Sequence, residues 1–307
     1  MTISATWHYA RRWLRSLASV KAVAALLSSF GALWLSVEIA TFFLNGTTWP
    51  DHIRAAWMWF GGIGVLIAGG LCKPPRTVAS KLYGRDVTIH ITIGDMFSMR
   101  GALIVGSNTT FDTRIANELI AANSVQGIFT KRYYAGESQL DQELSAALVG
   151  YPSTELSDRR VGKTRRYAHG TCARLNPKDC TAYFVAIADI NEHGTASSHI
   201  EALKDSLSSL WVFIGTRGTK EPLVIPILGT GFSRLSQTRE EIVHEIIRSF
   251  IAACSERTFA DSLTIAIAPQ DVVKHGISLD CLGAFLAHEC RYASFANNSR
   301  PAVGTPA

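Results

Sequence analysis

Gly229-Thr230-Gly231-Phe232-Ser233 follows directly on the apolar run Leu223-Val224-Ile225-Pro226-Ile227-Leu228 and precedes a stretch with helical periodicity. A glycine turn between strand and helix presents backbone N–H groups to an anion, most often a phosphate, although a tight turn needs glycine even where nothing binds. Two other strand exits carry small polar groups. The first is Gly94-Asp95, followed by Met96 and Phe97, and the second is Ser107-Asn108-Thr109-Thr110-Phe111-Asp112-Thr113. Asp95 could accept from a donor such as an adenine amino group, or close an Asx turn. Asn108, Asp112 and Thr113 could hold a ribose or cap the following helix. Their coincidence is a stronger signal than any one loop.

Catalytic templates fail in turn. The glycine turn has no Gly-Lys-Ser/Thr sequel, so it is no Walker loop, and the chain has no Gly-x-Ser-x-Gly elbow. His244-Glu245-Ile246-Ile247-Arg248 lacks the second histidine of a zinc-protease helix. His169, Cys172, Cys180, Cys281, His288 and Cys290 match no standard zinc spacing. No catalytic residue, metal ligand or cofactor is assigned. The six cysteines read as reduced packing residues of a cytosolic domain.

The elements that must position these loops alternate between strand and helix. Val87-Thr88-Ile89-His90-Ile91-Thr92-Ile93 alternates as a half-buried strand, and apolar runs over 102–106, 183–188, 223–228 and 263–268 read as buried ones. Helical patterns fall on 115–122, 139–149, a stretch opened by a Ser198/Glu201 capping box, and one opened by Thr238/Glu241. In the last of these Ile242, Val243, Ile246, Ile247, Phe250, Ile251 and Cys254 form one face. A further helix turns Leu279, Leu282, Phe285 and Leu286 inward, and 124–127 reads as a turn. This pattern predicts an α/β fold with a mixed, largely parallel sheet, whose ligands sit beyond the strands' carboxyl ends.

The 307 residues are 47% hydrophobic and 18% charged, with net charge +5. Much of the basic excess lies in the first 85 residues beside apolar spans, which points to membrane topology, and no Lys/Arg stripe with interleaved aromatics marks a nucleic-acid groove. Residues 1–21 read as a basic interfacial leader and 22–72 as a transmembrane helical hairpin, each run long enough for a hydrocarbon core of about 30 Å. Lys and Arg flank the outer ends of both runs, so both termini are expected in the cytoplasm. Glu38, about 7.5 Å from the midplane, either pairs with Arg54, is protonated, or lines a pore. Gly64-x-x-x-Ala68 allows close helix approach within the hairpin or between subunits. Residues 73–85 form a stiff linker, 86–294 the soluble domain and 295–307 a flexible tail.

The motifs Ile93-Gly94-Asp95-Met96-Phe97, the loop 106–113, Ser124-Val125-Gln126-Gly127-Ile128-Phe129 and Ile225-Pro226-Ile227-Leu228-Gly229-Thr230-Gly231-Phe232-Ser233-Arg234-Leu235 resemble macro domains. The arrangement is similar to Thoeris anti-phage effectors that join two transmembrane helices to such a domain. The resemblance implies a three-layer macro-domain-like fold and an ADP-ribose derivative as ligand. It assigns Asp95 to adenine, Gly229, Thr230, Gly231, Phe232 and Ser233 to phosphate and the adjacent ribose, and Asn108, Phe111, Asp112 and Thr113 to the distal ribose. It further implies a TIR-domain partner that makes a diffusible nucleotide signal, a histidine conjugate of ADP-ribose in the branch with membrane spans. The chain would then be a homo-oligomeric effector in the bacterial inner membrane that disrupts the bilayer. Hydrolysing macro domains carry Asn-Ala-Ala-Asn before a glycine-rich loop, where this chain has Gly106-Ser107-Asn108-Thr109-Thr110-Phe111-Asp112, which favours sensing over hydrolysis; a tethered hydrolase or binding module is the alternative.

Overall fold

The computed structural model describes residues 13–14, 17–43, 56–73, 75–115, 119–157, 159, 161–178, 180–191, 196–229 and 237–293. The chain divides into two units, Met1–Pro75 and Arg76–Ala307.

The first unit holds two apolar helices, α1 (Val20–Phe43) and α2 (Trp57–Leu71), packed on one another. Gly64 lets them approach: a Cβ there would stand 3.2 Å from the Phe30 ring, and the Ser29 hydroxyl donates to the Gly64 carbonyl at 3.1 Å. The small residues Ala22, Ser29 and Ala68 are buried. The glycine spacing is therefore used within the hairpin. Trp34, Leu35, Phe42, Trp59 and Leu66 point outward and exposed. At 1.5 Å per residue α1 spans about 36 Å, and Ala22–Phe43 is long and apolar enough to cross a membrane, whereas Trp57–Leu71 spans about 22 Å. Arg54, the expected partner of Glu38, lies outside the described residues.

The second unit is built on one sheet. Its strands are β1 (Thr77–Lys81), β2 (Thr88–Ile93), β3 (Ala102–Asn108), β6 (Cys172–Leu175), β7 (Ala182–Ile190), β8 (Ala196–Ser197), β9 (Leu223–Pro226) and β10 (Ser262–Ile267), with β4 (Ser153–Glu155) and β5 (Arg165–Tyr167) forming a separate hairpin. The order β1-β2-β10-β9-β3-β7-β6 makes the five central strands parallel, with β1 and β6 antiparallel at the edges. Helices α3 (Val125–Tyr133) and α4 (Glu137–Ala147) cover one face, where Phe129, Leu140 and Leu144 meet Val105 and Phe184. Helices α5 (Ile200–Arg217), α6 (Arg239–Glu256), α7 (Pro269–His275) and α8 (Leu279–Tyr292) complete the unit. Trp211 and Phe250, both buried, contact edge to face at 5.3 Å in the second core.

Four local expectations change. Residues expected in the linker form β1, because Val78 packs on Gly283 of α8 and β1 pairs with β2 from Thr77↔Thr92 to Lys81↔Thr88, so the folded unit starts at Arg76. The described part of 115–122 is turn and bend rather than helix. Residues 124–127, expected as a turn, open α3 instead, because the Ser124 hydroxyl accepts from Gly127 N at 3.0 Å. Ser198 does not cap α5; its buried hydroxyl donates to the Ile187 carbonyl and His199 occupies the N-cap. The Thr238/Glu241 capping box and the buried face of α6 are as expected. Residues 295–307, expected as a tail, lie outside the described residues.

No disulfide joins the six cysteines. Burial pushes the Cys172 and Cys254 thiols up to about 12, and Cys290 is also buried and raised, while Cys281 is exposed. Because the thiolate is the nucleophile, iodoacetamide on the native chain should label Cys281 first and leave Cys172 and Cys254 unmodified until the domain unfolds. Peptide mass spectrometry checks this, and early labelling of Cys254 would contradict the packing of α6.

Candidate ligand-binding cleft

The parallel strands leave a cleft of about 300 Å³ at their carboxyl ends. Its walls come from β3 (Gly106, Ser107, Asn108), β7 (Ile187, Ala188), the β9 exit (Pro226 to Gly229), the β10 exit (Ala266, Ala268, Gln270, Asp271) and the start of α3. Gly229 takes φ +68°, the left-handed conformation that favours glycine. Among the described lining residues there is no Lys or Arg, so an anion here would be held by backbone N–H groups rather than by cationic side chains. A larger, shallower depression of about 720 Å³ lies by Arg114, Lys131, Glu137 and Asp141, away from the strand ends. The smaller cleft is preferred because parallel α/β sheets bind ligands at the carboxyl ends of their strands.

The loop after β3 is locked by a buried polar network. Asn108 Oδ1 accepts from Thr110 N and Asp112 N at 3.2 and 3.1 Å, with the Thr110 hydroxyl 3.0 Å away. Asp112 Oδ1 accepts from Lys163 N at 2.8 Å, and Oδ2 takes the Arg159 guanidinium and the Thr110 hydroxyl. Asp112 and Arg159 side chains are each only 2% exposed. Gln126 joins the network from α3, its amide donating to Asp112 O at 2.6 Å and its Oε1 accepting from Ser107 Oγ at 3.3 Å. Phe111, at φ +49°, is fully buried and edge to face with Tyr167 at 5.7 Å. The left-handed φ is a strained conformation for a bulky residue, tolerated because Phe111 N reaches Asn108 O at 3.0 Å and the rings pack.

The start of α3 abuts the cleft through Gly127. A Cβ there would stand 2.3 Å from Ala121 O, so no other residue fits without moving the wall that Ala121 forms. One residue past Ala188 on β7, Asp189 pairs with Arg166 and lies 3.0 Å from His169 Nε2. Burial would raise the Asp189 pKa, but the His169 hydrogen bond and the charges of His169 and Arg166 outweigh it and hold the carboxyl below its ordinary range. That pairing is therefore present above the carboxylate range and lost only as pH falls through the lowered value.

The site residues expected from sequence separate into three groups. Asn108 and Gly229 line the cleft. Asp95, Met96, Phe97, Phe111, Asp112 and Thr113 do not. Asp95 caps the turn Met96–Ser98, accepting from Phe97 N at 3.0 Å, and lies 3.6 Å from Arg132. Met96, Phe97 and Phe111 are buried in the core, Asp112 is consumed by Arg159, and Thr113 donates to Asp141 at 2.9 Å. The polar three, Asp95, Asp112 and Thr113, are spent on holding the loops and their neighbours. Thr230, Gly231, Phe232 and Ser233 lie outside the described residues. The sequence reading missed Gln126, Arg159, Gln270 and Asp271. The basic stretch around Arg159 and the Pro269 that opens α7 were visible signals, but neither reveals which side chain turns inward.

Parallel central strands, helices on both faces and a strand-end cleft beside a glycine turn define an α/β domain of the macro-domain class. The family model described as "Thoeris protein ThsA, Macro domain" matches residues 89–268, more than half of the chain, and the chain belongs to that family. It is 25% identical over 168 residues to "Thoeris protein ThsA" of Bacillus amyloliquefaciens (strain Y2), a match covering 52% of this chain and 53% of that protein. The chain thus spans about half the length of the curated relative it matches. Among solved structures, the Oceanobacillus iheyensis macrodomain with ADP aligns at 11% identity and TM-score 0.46, covering 71% of this chain and 97% of that one. A mutant of the same macrodomain with ADPR aligns at 11% and 0.45, covering 70% and 97%. With TM-scores below 0.5, neither bears on the ligand of this chain.

Proposed function

We propose that the strand-end cleft is the sensor of a membrane effector and binds an ADP-ribose derivative made from NAD by a TIR-domain partner, a histidine conjugate in particular. The observation that carries this is the cleft itself: no cationic side chain among its described lining, a left-handed glycine in its wall and small apolar residues beside it. Such a site suits a diphosphate held by backbone N–H groups with a flat base beside it. The apolar outer surface of α1 and α2 supports insertion in a membrane, and the Lys and Arg flanking the hairpin support cytoplasmic termini. Ligand binding then favours an oligomer whose hairpins disrupt the bilayer. Moving that equilibrium from 1:99 to 99:1 needs about a 10⁴-fold tighter grip on the assembled state.

At the loop after β3 the Asn108 carboxamide oxygen and both Asp112 oxygens are occupied within their own network, which supports sensing over hydrolysis at that loop. The test uses the full chain in detergent and in vesicles. ADP-ribose and its histidine conjugate should bind stoichiometrically in calorimetry, survive incubation unchanged by chromatography, and release a trapped dye from vesicles. Turnover at catalytic rates would make the protein a tethered hydrolase, and binding without dye release would make it a membrane-held binding module.

A further inference from the structure

We propose that the depression at the β1–β2 turn binds the phosphate of anionic lipid headgroups and so brings the folded unit against the membrane surface; this rests on the membrane reading above. The depression, about 670 Å³, is lined by Lys81 at the end of β1, Tyr83 and Arg85 in the turn, and Arg291 in the last turn of α8. Asp86 is the one carboxylate among its described lining. It lies 2.8 Å from Lys81, but both side chains are largely in solvent, where such a pair is weak and opens readily to another anion. Three cations against one carboxylate leave the depression positive.

Contacts from two helices hold the turn in place. Tyr83 N donates to Cys290 O at 3.0 Å, tying the turn to the end of α8, and Arg85 donates to Cys254 O and Ser255 O at 3.2 and 2.8 Å, at the end of α6. Tyr83 and the adjoining Tyr292 are 71% and 66% exposed, and the Arg291 guanidinium stands 5.8 Å from the centre of the Tyr292 ring. Exposed tyrosines beside lysine and arginine suit the boundary between lipid and water, where the rings meet glycerol and acyl atoms and the cations meet phosphate. A soluble anion would engage the cations and leave both rings in water. Lys81 follows the end of α2 by about ten residues, a reach of at most ~36 Å along the chain, and Lys73 and Arg76 lie between them. A basic cluster directly after a membrane span is placed to hold an anionic leaflet.

The test places the full chain in lipid nanodiscs of phosphatidylcholine and of an equimolar mixture of phosphatidylcholine and phosphatidylglycerol. A water-soluble succinimidyl ester acylates exposed lysines, and peptide mass spectrometry reads the rate at Lys81 against Lys204 on α5, also exposed. Lys81 should react at least about fivefold more slowly in the anionic discs, the effect of one cation close to a charged leaflet, while Lys204 reacts equally in both. High salt should remove the protection, and so should Arg291→Glu at an unchanged melting temperature. Equal rates at Lys81 in the two membranes overturn the proposal. Protection that survives Arg291→Glu also overturns it, because the headgroup would then lie outside this depression. Protection by inorganic phosphate alone in phosphatidylcholine discs overturns the lipid assignment and makes this a site for soluble phosphate. A chain that enters neither disc overturns the membrane reading itself, a result distinct from the others.

Discussion

Arg159→Ala should lower the stability of the folded domain by about 3–5 kcal/mol, the usual loss when one partner of a buried ion pair is removed. The Asp112 carboxylate, only 2% exposed beside the intact guanidinium, would lose its buried partner. For a domain of this size that corresponds to a fall in melting temperature on the order of 10 °C. Three further bonds go with it, since the same guanidinium reaches the Thr110 hydroxyl, the Val161 carbonyl and the Lys163 carbonyl. Pulse proteolysis of the domain in urea would measure the loss. Removing both charges together, Arg159→Met with Asp112→Leu, should recover a substantial part, because no unpaired charge remains. A single-variant loss below about 1 kcal/mol would mean that water reaches the pair in solution. The consequence extends to the cleft, because the loop this pair locks carries Ser107 and Asn108 into the wall.

The second large effect separates binding from folding. Ala268→Trp places an indole inside a cleft of about 300 Å³, at a half-buried position just before α7. Affinity for ADP-ribose should fall by more than about 100-fold, since displacing a ligand from its only complementary surface removes most of its binding free energy. The fold should be little affected, because the added ring fills open space rather than the core. Calorimetry of the full chain, with melting temperature as control, decides. Unchanged affinity would move the ligand elsewhere, the depression lined by Arg114, Lys131, Glu137 and Asp141 being the next place to look.

Several features follow from local sequence patterns. Four of the five parallel strands were legible as apolar runs, since a strand buried on both faces reads as nearly continuous hydrophobic residues, and β2 as a strict alternation. Helix α6 was legible to its capping box, because both the box and the 3.6-residue period are local rules. Edge strands β1 and β6 were not. Val78 and Ser80 alternate too weakly over five residues to announce a strand, and only pairing with β2 and packing under α8 makes one.

The side chains of the cleft show the same division. From sequence alone, Asp95 and Asp112 were equivalent to Asp271: an acidic residue at or near a strand exit. Tertiary contacts distinguish them. A guanidinium 47 residues further along the chain consumes Asp112, a backbone N–H and Arg132 engage Asp95, and nothing described engages Asp271. The chain's own order thus determined the alternation of elements, the apolar helices and the small polar loops at the strand exits, all properties of residue type and spacing. The folded arrangement decided which polar groups are spent on holding loops and which remain to meet a ligand, because hydrogen-bond capacity is exhausted by partners brought together from distant parts of the sequence.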